Sequence, residues 1–229
     1  MIINNQYQFI YIHVAKTAGT AVSTALQRYA GPADIDLGGA VVEMKGDQGR
    51  YQIAKNLNTL WPKQWGIEKH SPVARIRQKV GPRIWPNYFK FAFVRNPFAR
   101  TYSGFKFAKK HKSAGGALEE MSFSEFLRSE WFQDLKLLPI QSQAAFLHPI
   151  SQVDFIGRQE NLSDDLKLAA SIIERRRVTE IDIPDLNRSA SPDEWRDMSD
   201  VDRDIIRDIL ARDFEELGYS PEDGSVIGA

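Results

Sequence analysis

The sequence contains no cysteine, only 4 histidines and no long apolar run. The absence of cysteine excludes disulfides, thiolate metal sites and cysteine nucleophiles. The histidines are widely separated, which argues against a zinc site. The first residues lack the basic start, apolar core and cleavage site of a signal peptide, and no segment approaches the roughly 18 apolar residues that a membrane span needs. We therefore expect a soluble, cytoplasmic protein that binds no metal.

Acidic residues are missing from one long segment of the chain. The 229 residues include 30 basic and 30 acidic side chains, so the formal net charge is zero. Residues 69–118 nevertheless carry twelve Lys and Arg and no Asp or Glu, whereas nineteen of the acids occur from Glu160 onward. Basic residues on exposed helices can simply keep a protein soluble, but a segment without acids favours binding of an anion.

Strand-like and helix-like segments alternate along the sequence, which predicts an α/β fold with a mostly parallel sheet flanked by helices. The predicted strands are residues 8–15, 88–94 and 152–157. A single domain over residues 1–229 is expected, with an irregular insertion or substrate loops at 31–65. Six helices are predicted from caps and apolar spacing. The first covers residues 20–30, with Val22, Ala25, Leu26 and Tyr29 inward, and the second is capped by Ser71, starts at Pro72 and is closed by Gly81, with Val73, Ile76 and Val80 inward. The third follows Pro97, with Phe98, Tyr102 and Phe105 on one stripe, and the fourth starts with a capping box of Ser122 and Glu125. The fifth is capped by Ser163, with Leu166, Ala169, Ala170 and Ile173 inward, and the last ends at Gly218, with Val201, Ile205, Ile209 and Phe214 inward.

Each of the two clearest strands is followed by a cation, Lys16 in one case and Arg95 in the other. The carboxyl ends of parallel strands lie at one edge of a sheet, where α/β proteins bind ligands. The stretch "AKTAGT" has the features of a phosphate cradle, with Gly19 for close backbone approach and the hydroxyl groups of Thr17 and Thr20 as donors. The alternative is an ordinary turn between strand and helix with an exposed lysine.

This loop differs from the Walker A loop of ATP-binding proteins. A Walker A loop has two glycines separated by four residues and then Lys-Ser or Lys-Thr, whereas Lys16 precedes Gly19 by three residues. No predicted strand ends in an aspartate suited to magnesium. The pattern therefore predicts a phosphate-like ligand that is bound without a metal.

Several motifs resemble those of sulfotransferases that use 3′-phosphoadenosine 5′-phosphosulfate (PAPS). The stretch "HVAKTAGT" resembles their 5′-phosphosulfate-binding loop, and "FAFVRNPFARTYSGF" resembles their 3′-phosphate-binding strand and helix. The form is most similar to the second large sulfotransferase family, which includes uronyl 2-O-sulfotransferases and many bacterial proteins. Because "DFIGRQENL" and "RDFEELGY" resemble later blocks of that family, the resemblance runs from about residue 9 to 219, with a gap at 31–65.

The resemblance implies a P-loop-like sulfotransferase fold and a set of donor-binding residues. It implies that Lys16 acts at the bridging oxygen of the phosphosulfate. The family loop usually has proline where this chain has Ala15 and often serine where it has Ala21, so we expect a less rigid loop. The residues implied to hold the 5′-phosphate are Thr17, Ala18, Gly19 and Thr20, and those implied to bind the 3′-phosphate are Arg95 and Ser103.

His70 is the candidate catalytic base. It directly precedes the predicted helix cap at Ser71, and a helix N-terminus disfavours the charged imidazolium form. The alternative is a loop histidine that packs or faces water. His13 is a rival base, although its position at the end of a strand better suits a buried residue that shapes the loop, and Glu68 is a weaker alternative.

These features together predict transfer of a sulfuryl group from PAPS to a hydroxyl or amine acceptor, such as a carbohydrate or glycolipid, with no nucleic-acid partner. A nucleotide-dependent phosphotransferase is one alternative, but it would need magnesium and a carboxylate ligand. A non-catalytic module that binds anions or nucleic acid is another, and its affinity for nucleic acid would fall steeply with salt.

Overall fold

The computed structural model describes residues 1–31, 34–37, 66–184 and 193–228. The predicted insertion at 31–65 lies almost entirely outside these residues. The chain divides into two compact units, each built from separate segments. The expected single domain over residues 1–229 stays a prediction. Unit 1 consists of Met1–Val14, Ala18–Phe93 and Leu147–Asn187, and unit 2 of Ala15–Thr17, Val94–Phe146 and Arg188–Ala229.

A five-stranded sheet with the strand order β3-β1-β2-β4-β5 confirms the α/β class. The two strands that the sequence predicts most clearly, β2 and β4, are parallel neighbours, with Phe9 opposite Phe89 and Ile12 opposite Ala92. Their carboxyl ends therefore lie at the same edge of the sheet. The strands are β1 (Ile2–Asn4), β2 (Phe9–Ile12), β3 (Ile35–Asp36), β4 (Phe89–Val94) and β5 (Phe155–Arg158).

The sheet is mixed, because β1 pairs antiparallel with both β2 and β3. The sequence pattern did not predict β1 or β3. Three residues and two residues, respectively, are too few to display the alternation that identifies a strand. The prediction of a mostly parallel sheet therefore describes the β2–β4 pair and misses these antiparallel neighbours.

Helices occur at each predicted place along the chain, but the helix predicted to end at Gly218 is divided into α8 and α9, and the short helices α5 and α6 were not predicted. Gly81, which was predicted to close α2, has a φ of 76° and marks a kink, after which the helix continues to Ile84. The helices are α1 (Gly19–Ala25), α2 (Val73–Ile84), α3 (Pro97–Lys110), α4 (Phe123–Arg128), α5 (Glu130–Gln133), α6 (Gln143–Leu147), α7 (Leu162–Glu174), α8 (Asp200–Ile209) and α9 (Ala211–Leu217).

Each unit has its own packed interior. In unit 1, aromatic residues of β2 and β4 pack with apolar residues of α1 and α7, and the four residues of α7 predicted to face inward are buried. The N-cap of α7 is Asn161 rather than the predicted Ser163, which lies inside the helix. In unit 2, Phe98 of α3 packs against Phe214 with ring centroids 5.0 Å apart, and Phe105 packs against Phe126 at the same separation.

The buried face of α8 differs from the prediction by one residue. Val201, expected to face inward, is 59% exposed, whereas Asp202 is buried. The Asp202 carboxylate accepts hydrogen bonds from the Ser124 hydroxyl at 2.8 Å and from Arg128 at 2.9 Å. Because these bonds satisfy a buried charge, the inward stripe continues from Asp202 through Ile206.

Candidate functional site

The first candidate element is the loop at residues 15–20, which connects β2 to α1. Lys16 and Ala18 both have left-handed backbone conformations, with φ of 67° and 62°. Such conformations cost about 1–3 kcal/mol each for residues other than glycine and concentrate at functional sites. Along the loop, Lys16, Ala18 and Thr20 are half-buried, while Thr17 is fully buried. The accessible side chains are therefore those of Lys16 and Thr20.

Gly19 has a packing requirement that the sequence did not reveal. A Cβ atom at this position would lie 1.8 Å from Nε2 of His13, so only glycine fits against the imidazole. His13 is buried, and this burial holds its pKa well below the usual 6.5. His13 therefore packs beneath the loop as a neutral ring, as the sequence favoured.

The second candidate element is the turn that leads from β4 into α3. The side chain of Gln143, which is fully buried, bonds to both backbone groups of Arg95. Its Oε1 accepts from Arg95 N–H at 2.9 Å, and its Nε2 donates to Arg95 C=O at 2.8 Å. This clamp fixes the backbone of the residue predicted to bind the 3′-phosphate.

Asn96 caps α3 and anchors the same turn. Its Oδ1 accepts from the backbone N–H groups of Phe98 at 2.8 Å and Ala99 at 3.1 Å, and Pro97 occupies the first helical position. Its Nδ2 donates to the carbonyl of Gly224 at 2.8 Å. The C-terminal segment of the chain thus helps to hold the turn that carries Arg95.

One face of α3 contacts the loop that carries Lys16. Arg100, Ser103 and Phe107 recur at i, i+3 and i+7, so they share this face. Arg100 donates a hydrogen bond from Nε to the carbonyl of Ala15 at 2.9 Å, and the Lys16 ammonium lies 4.4 Å from the centroid of the Phe107 ring. Ser103, which is half-buried, lies between these two contacts. The face therefore joins Ser103 to the neighbourhood of Lys16.

His70 lies in unit 1, in the segment that leads into α2. Its Nδ1 is 3.0 Å from the carbonyl oxygen of His13, and the two rings meet edge to face with centroids 4.7 Å apart. Since a carbonyl only accepts, Nδ1 must carry the proton, and whenever the ring is neutral Nε2 is the acceptor. This is the tautomer that a base at Nε2 requires.

The start of α2 differs from the prediction. Pro72 is the N-cap, and the helix begins at Val73, whereas Ser71 was expected to cap it. The Ser71 hydroxyl instead accepts from Glu68 N–H at 2.7 Å, closing a turn before the helix. His70 is thus two residues from the cap rather than adjacent to it, so the helix N-terminus influences its ring less than expected.

The predicted site residues fall into both units. Lys16, Thr17, Arg95 and Ser103 belong to unit 2, and His70 belongs to unit 1 with Ala18, Gly19 and Thr20. The structure adds Gln143, Arg100 and Phe107, which the sequence did not single out. Only the spacing of Arg100, Ser103 and Phe107 could have been read from the sequence.

Within the described ranges there is no cluster of histidine, aspartate and glutamate that could hold a metal, and none of the helices there has the length and apolar character needed to cross a membrane.

Comparisons with known proteins agree with the motifs. A family model described as "Sulfotransferase family" matches residues 1–220. A protein of Archaeoglobus fulgidus, described as an uncharacterized protein, is 33% identical over 95 residues, which is 42% of this chain and 75% of that protein. No solved structure gives a significant match.

Proposed function

Since the chain belongs to the sulfotransferase family, we propose that it transfers a sulfuryl group from PAPS to a hydroxyl or amine acceptor, with carbohydrates and glycolipids as the first acceptors to test. The observation that supports the proposal is the contact of α3 with the Lys16 loop, through Arg100 and Phe107, on the helix face that also carries Ser103. The same helix begins at the turn of Arg95. Helix α3 therefore connects the two sequence motifs on which the proposal rests.

The chemistry of this neighbourhood suits a donor with two anionic ends. The Arg95 turn and Ser103 would hold the 3′-phosphate, and Lys16 with the backbone of residues 17–20 would hold the phosphosulfate. Burial lowers the pKa of Arg100 to about 10, and the charge of Arg95 acts in the same direction, although Asp213 opposes it. Arg100 therefore stays positively charged near neutral pH and adds to the positive potential of the unit that carries Lys16 and Arg95. PAPS, when bound, supplies an activated sulfuryl group and a phosphate leaving group.

The residues of the chain would act by position and charge. Lys16 places a compact positive charge where negative charge grows during transfer, and a preorganised charge of this kind lowers the barrier. His70 would accept the proton of the acceptor at Nε2, because its Nδ1–H is committed to the His13 carbonyl.

A binding experiment separates this proposal from its alternatives. Calorimetry should show tighter binding of 3′,5′-adenosine bisphosphate than of adenosine 5′-monophosphate, and the difference should shrink in Arg95→Ala. Tighter binding of ADP with magnesium would instead indicate a phosphotransferase. Salt-dependent binding of oligonucleotides with no affinity for the bisphosphate would indicate a nucleic-acid module.

A transfer experiment identifies the acceptor class. The protein is incubated with PAPS labelled in the sulfuryl group and with panels of sugars, glycolipids and small phenols, and label in the acceptor is measured. We expect transfer to at least one class. Tight bisphosphate binding without transfer to any panel would favour a non-catalytic role.

A further inference from the structure

Arg100 is a charged side chain buried inside unit 2, with only 2% of its surface exposed. Its Nε donates to the carbonyl of Ala15 at 2.9 Å, and its Nη1 donates to the carbonyl of Gln141 at 2.8 Å. Both acceptors are neutral backbone groups. Among the described residues, no ion pair involves Arg100. The negative charge of Asp213 offsets part of the cost of burying this guanidinium, but its hydrogen bonds go to these two carbonyls, which implies that the contacts have a role.

The carbonyl held by Arg100 belongs to the residue immediately before Lys16. Lys16 has a left-handed backbone conformation, which an L-amino acid keeps only when its surroundings impose it. At the other end of the same face of α3, the ring of Phe107 contacts the Lys16 ammonium. Helix α3 therefore fastens this residue at two points, through the preceding carbonyl and through the charged tip.

The second acceptor of Arg100 connects this loop to the Arg95 turn. Gln141, whose carbonyl Arg100 contacts, lies two residues before Gln143, whose side chain clamps the backbone of Arg95. Asp213 fixes the same segment, since its carboxylate accepts from the backbone N–H of Gln143 at 3.0 Å. The segment at 141–143 is thus bonded directly to the Arg95 turn and, through Arg100, to the Lys16 loop.

We propose that Arg100 is a positioning residue that fixes the Ala15 carbonyl and thereby sets the place of the Lys16 ammonium relative to the Arg95 turn. It acts through Lys16 and does not itself contact the donor. The planar fork of the guanidinium reaches two carbonyls at once, which a lysine ammonium cannot reproduce. This contact also supplies rigidity where the loop has Ala15 instead of proline. The effect on loop order is independent of the proposed function, whereas the effect on PAPS binding rests on it.

The first test needs no ligand. Amide hydrogen exchange of the peptide containing residues 15–17 is measured in the wild type, in Arg100→Lys and in Arg212→Lys, a control at an exposed arginine that pairs with Glu216. We expect exchange of this peptide to rise about tenfold in Arg100→Lys and to stay unchanged in the control. Unchanged exchange in a folded Arg100→Lys protein would overturn the inference. If Arg100→Lys does not fold, Arg100→Gln, which keeps a single donor group, is used in its place.

The second test is a double-mutant cycle on PAPS binding, measured by calorimetry without an acceptor. The four proteins are the wild type, Arg100→Lys, Lys16→Ala and the double variant. We expect Arg100→Lys to weaken binding about tenfold in the wild type and less than about twofold in the Lys16→Ala background. Equal weakening in both backgrounds would mean that Arg100 does not act through Lys16. If the wild type does not bind PAPS, the proposed function fails and the exchange measurement alone decides the role of Arg100.

Discussion

At the level of single side chains, Lys16 is the residue on which the proposed chemistry depends most. Its backbone conformation and its contact with Phe107 fix the ammonium in place. We expect Lys16→Ala to lower the rate of sulfuryl transfer by a factor of about 10²–10³, because it removes a preorganised charge from the reacting centre. The measurement is turnover of labelled PAPS with a proven acceptor.

The control for this variant is Lys110→Ala, which removes an exposed lysine from the end of α3. Circular dichroism should show both variants folded. Near wild-type turnover in Lys16→Ala would refute its role, as would an equal loss in Lys110→Ala.

His70 should affect the rate more than the binding of the donor. If Nε2 accepts the proton of the acceptor, His70→Ala should lower kcat by about 10²–10⁴-fold. The affinity for 3′,5′-adenosine bisphosphate should change little, because the proposed role of His70 concerns the acceptor and its ring bonds to the His13 carbonyl. A variant that loses affinity as strongly as it loses turnover would show that His70 shapes the donor site instead.

At the level of secondary structure, the start of α3 links stability to ligand binding. Asn96→Ala removes a helix cap and should cost about 1 kcal/mol of unfolding free energy. Ser122→Ala removes the capping box of α4 in the same unit and should cost a similar amount. Only the Asn96 turn carries Arg95, so only Asn96→Ala should also weaken binding of the bisphosphate, by about tenfold or 1.4 kcal/mol. Equal weakening in both variants would indicate that general destabilisation is the cause.

The elements with strong patterns were predictable, and those fixed by isolated polar contacts were not. β2 and β4 are short segments rich in apolar and aromatic residues, and the cations that follow them mark the same edge of the sheet. On α8, the predicted stripe of Val201, Ile205 and Ile209 is wholly apolar, whereas the observed one begins at the charged Asp202, so periodicity favours the wrong stripe. The choice follows from the partners of Asp202, which are distant in sequence.

In the candidate site, too, the residues with a recognisable sequence pattern could be predicted and the isolated polar contacts could not. The two loops can be recognised because each follows a strand and contains residues typical of anion binding. The clamp formed by Gln143 could not be predicted, since a buried glutamine that bonds to the backbone of Arg95 leaves no periodic signal. Ser142 directly precedes the first residue of α6 and is a residue type typical of a helix start. It does not show that the side chain of the next residue, Gln143, bonds to the backbone of Arg95.

At the level of the whole chain, the segment at 69–118, which contains no acids, has a weaker positive charge than its composition suggests. Three of its lysines form ion pairs with acids from outside the segment: Lys90 with Asp154 at 2.8 Å, Lys106 with Glu194 at 2.7 Å and Lys112 with Glu119 at 3.1 Å. These pairs neutralise part of the positive charge. The composition of the segment alone therefore overstates its attraction for an anion, and the proposed donor site rests on the Lys16 loop and the Arg95 turn instead.

The stability of the whole chain should depend on pH through His13. Burial keeps the pKa of His13 well below 6.5 in the folded protein. The unfolded chain therefore binds a proton below pH 6.5 that the folded protein does not, so acid favours unfolding. The contribution is fully present above pH 6.5, and it falls by about 1.4 kcal/mol per pH unit until the lower folded-state pKa is reached.

Denaturant unfolding from pH 8 to pH 5 tests this expectation when the wild type is compared with His13→Gln. Other groups titrate in both proteins, so their effects cancel in the difference between the two unfolding free energies. We expect that difference to be constant above pH 6.5 and to shrink steadily below it, because only the wild type loses stability through His13. A difference that stays constant down to pH 5 would show that His13 takes up its proton equally well in the folded protein, and that the ring beneath Gly19 is not held neutral by burial.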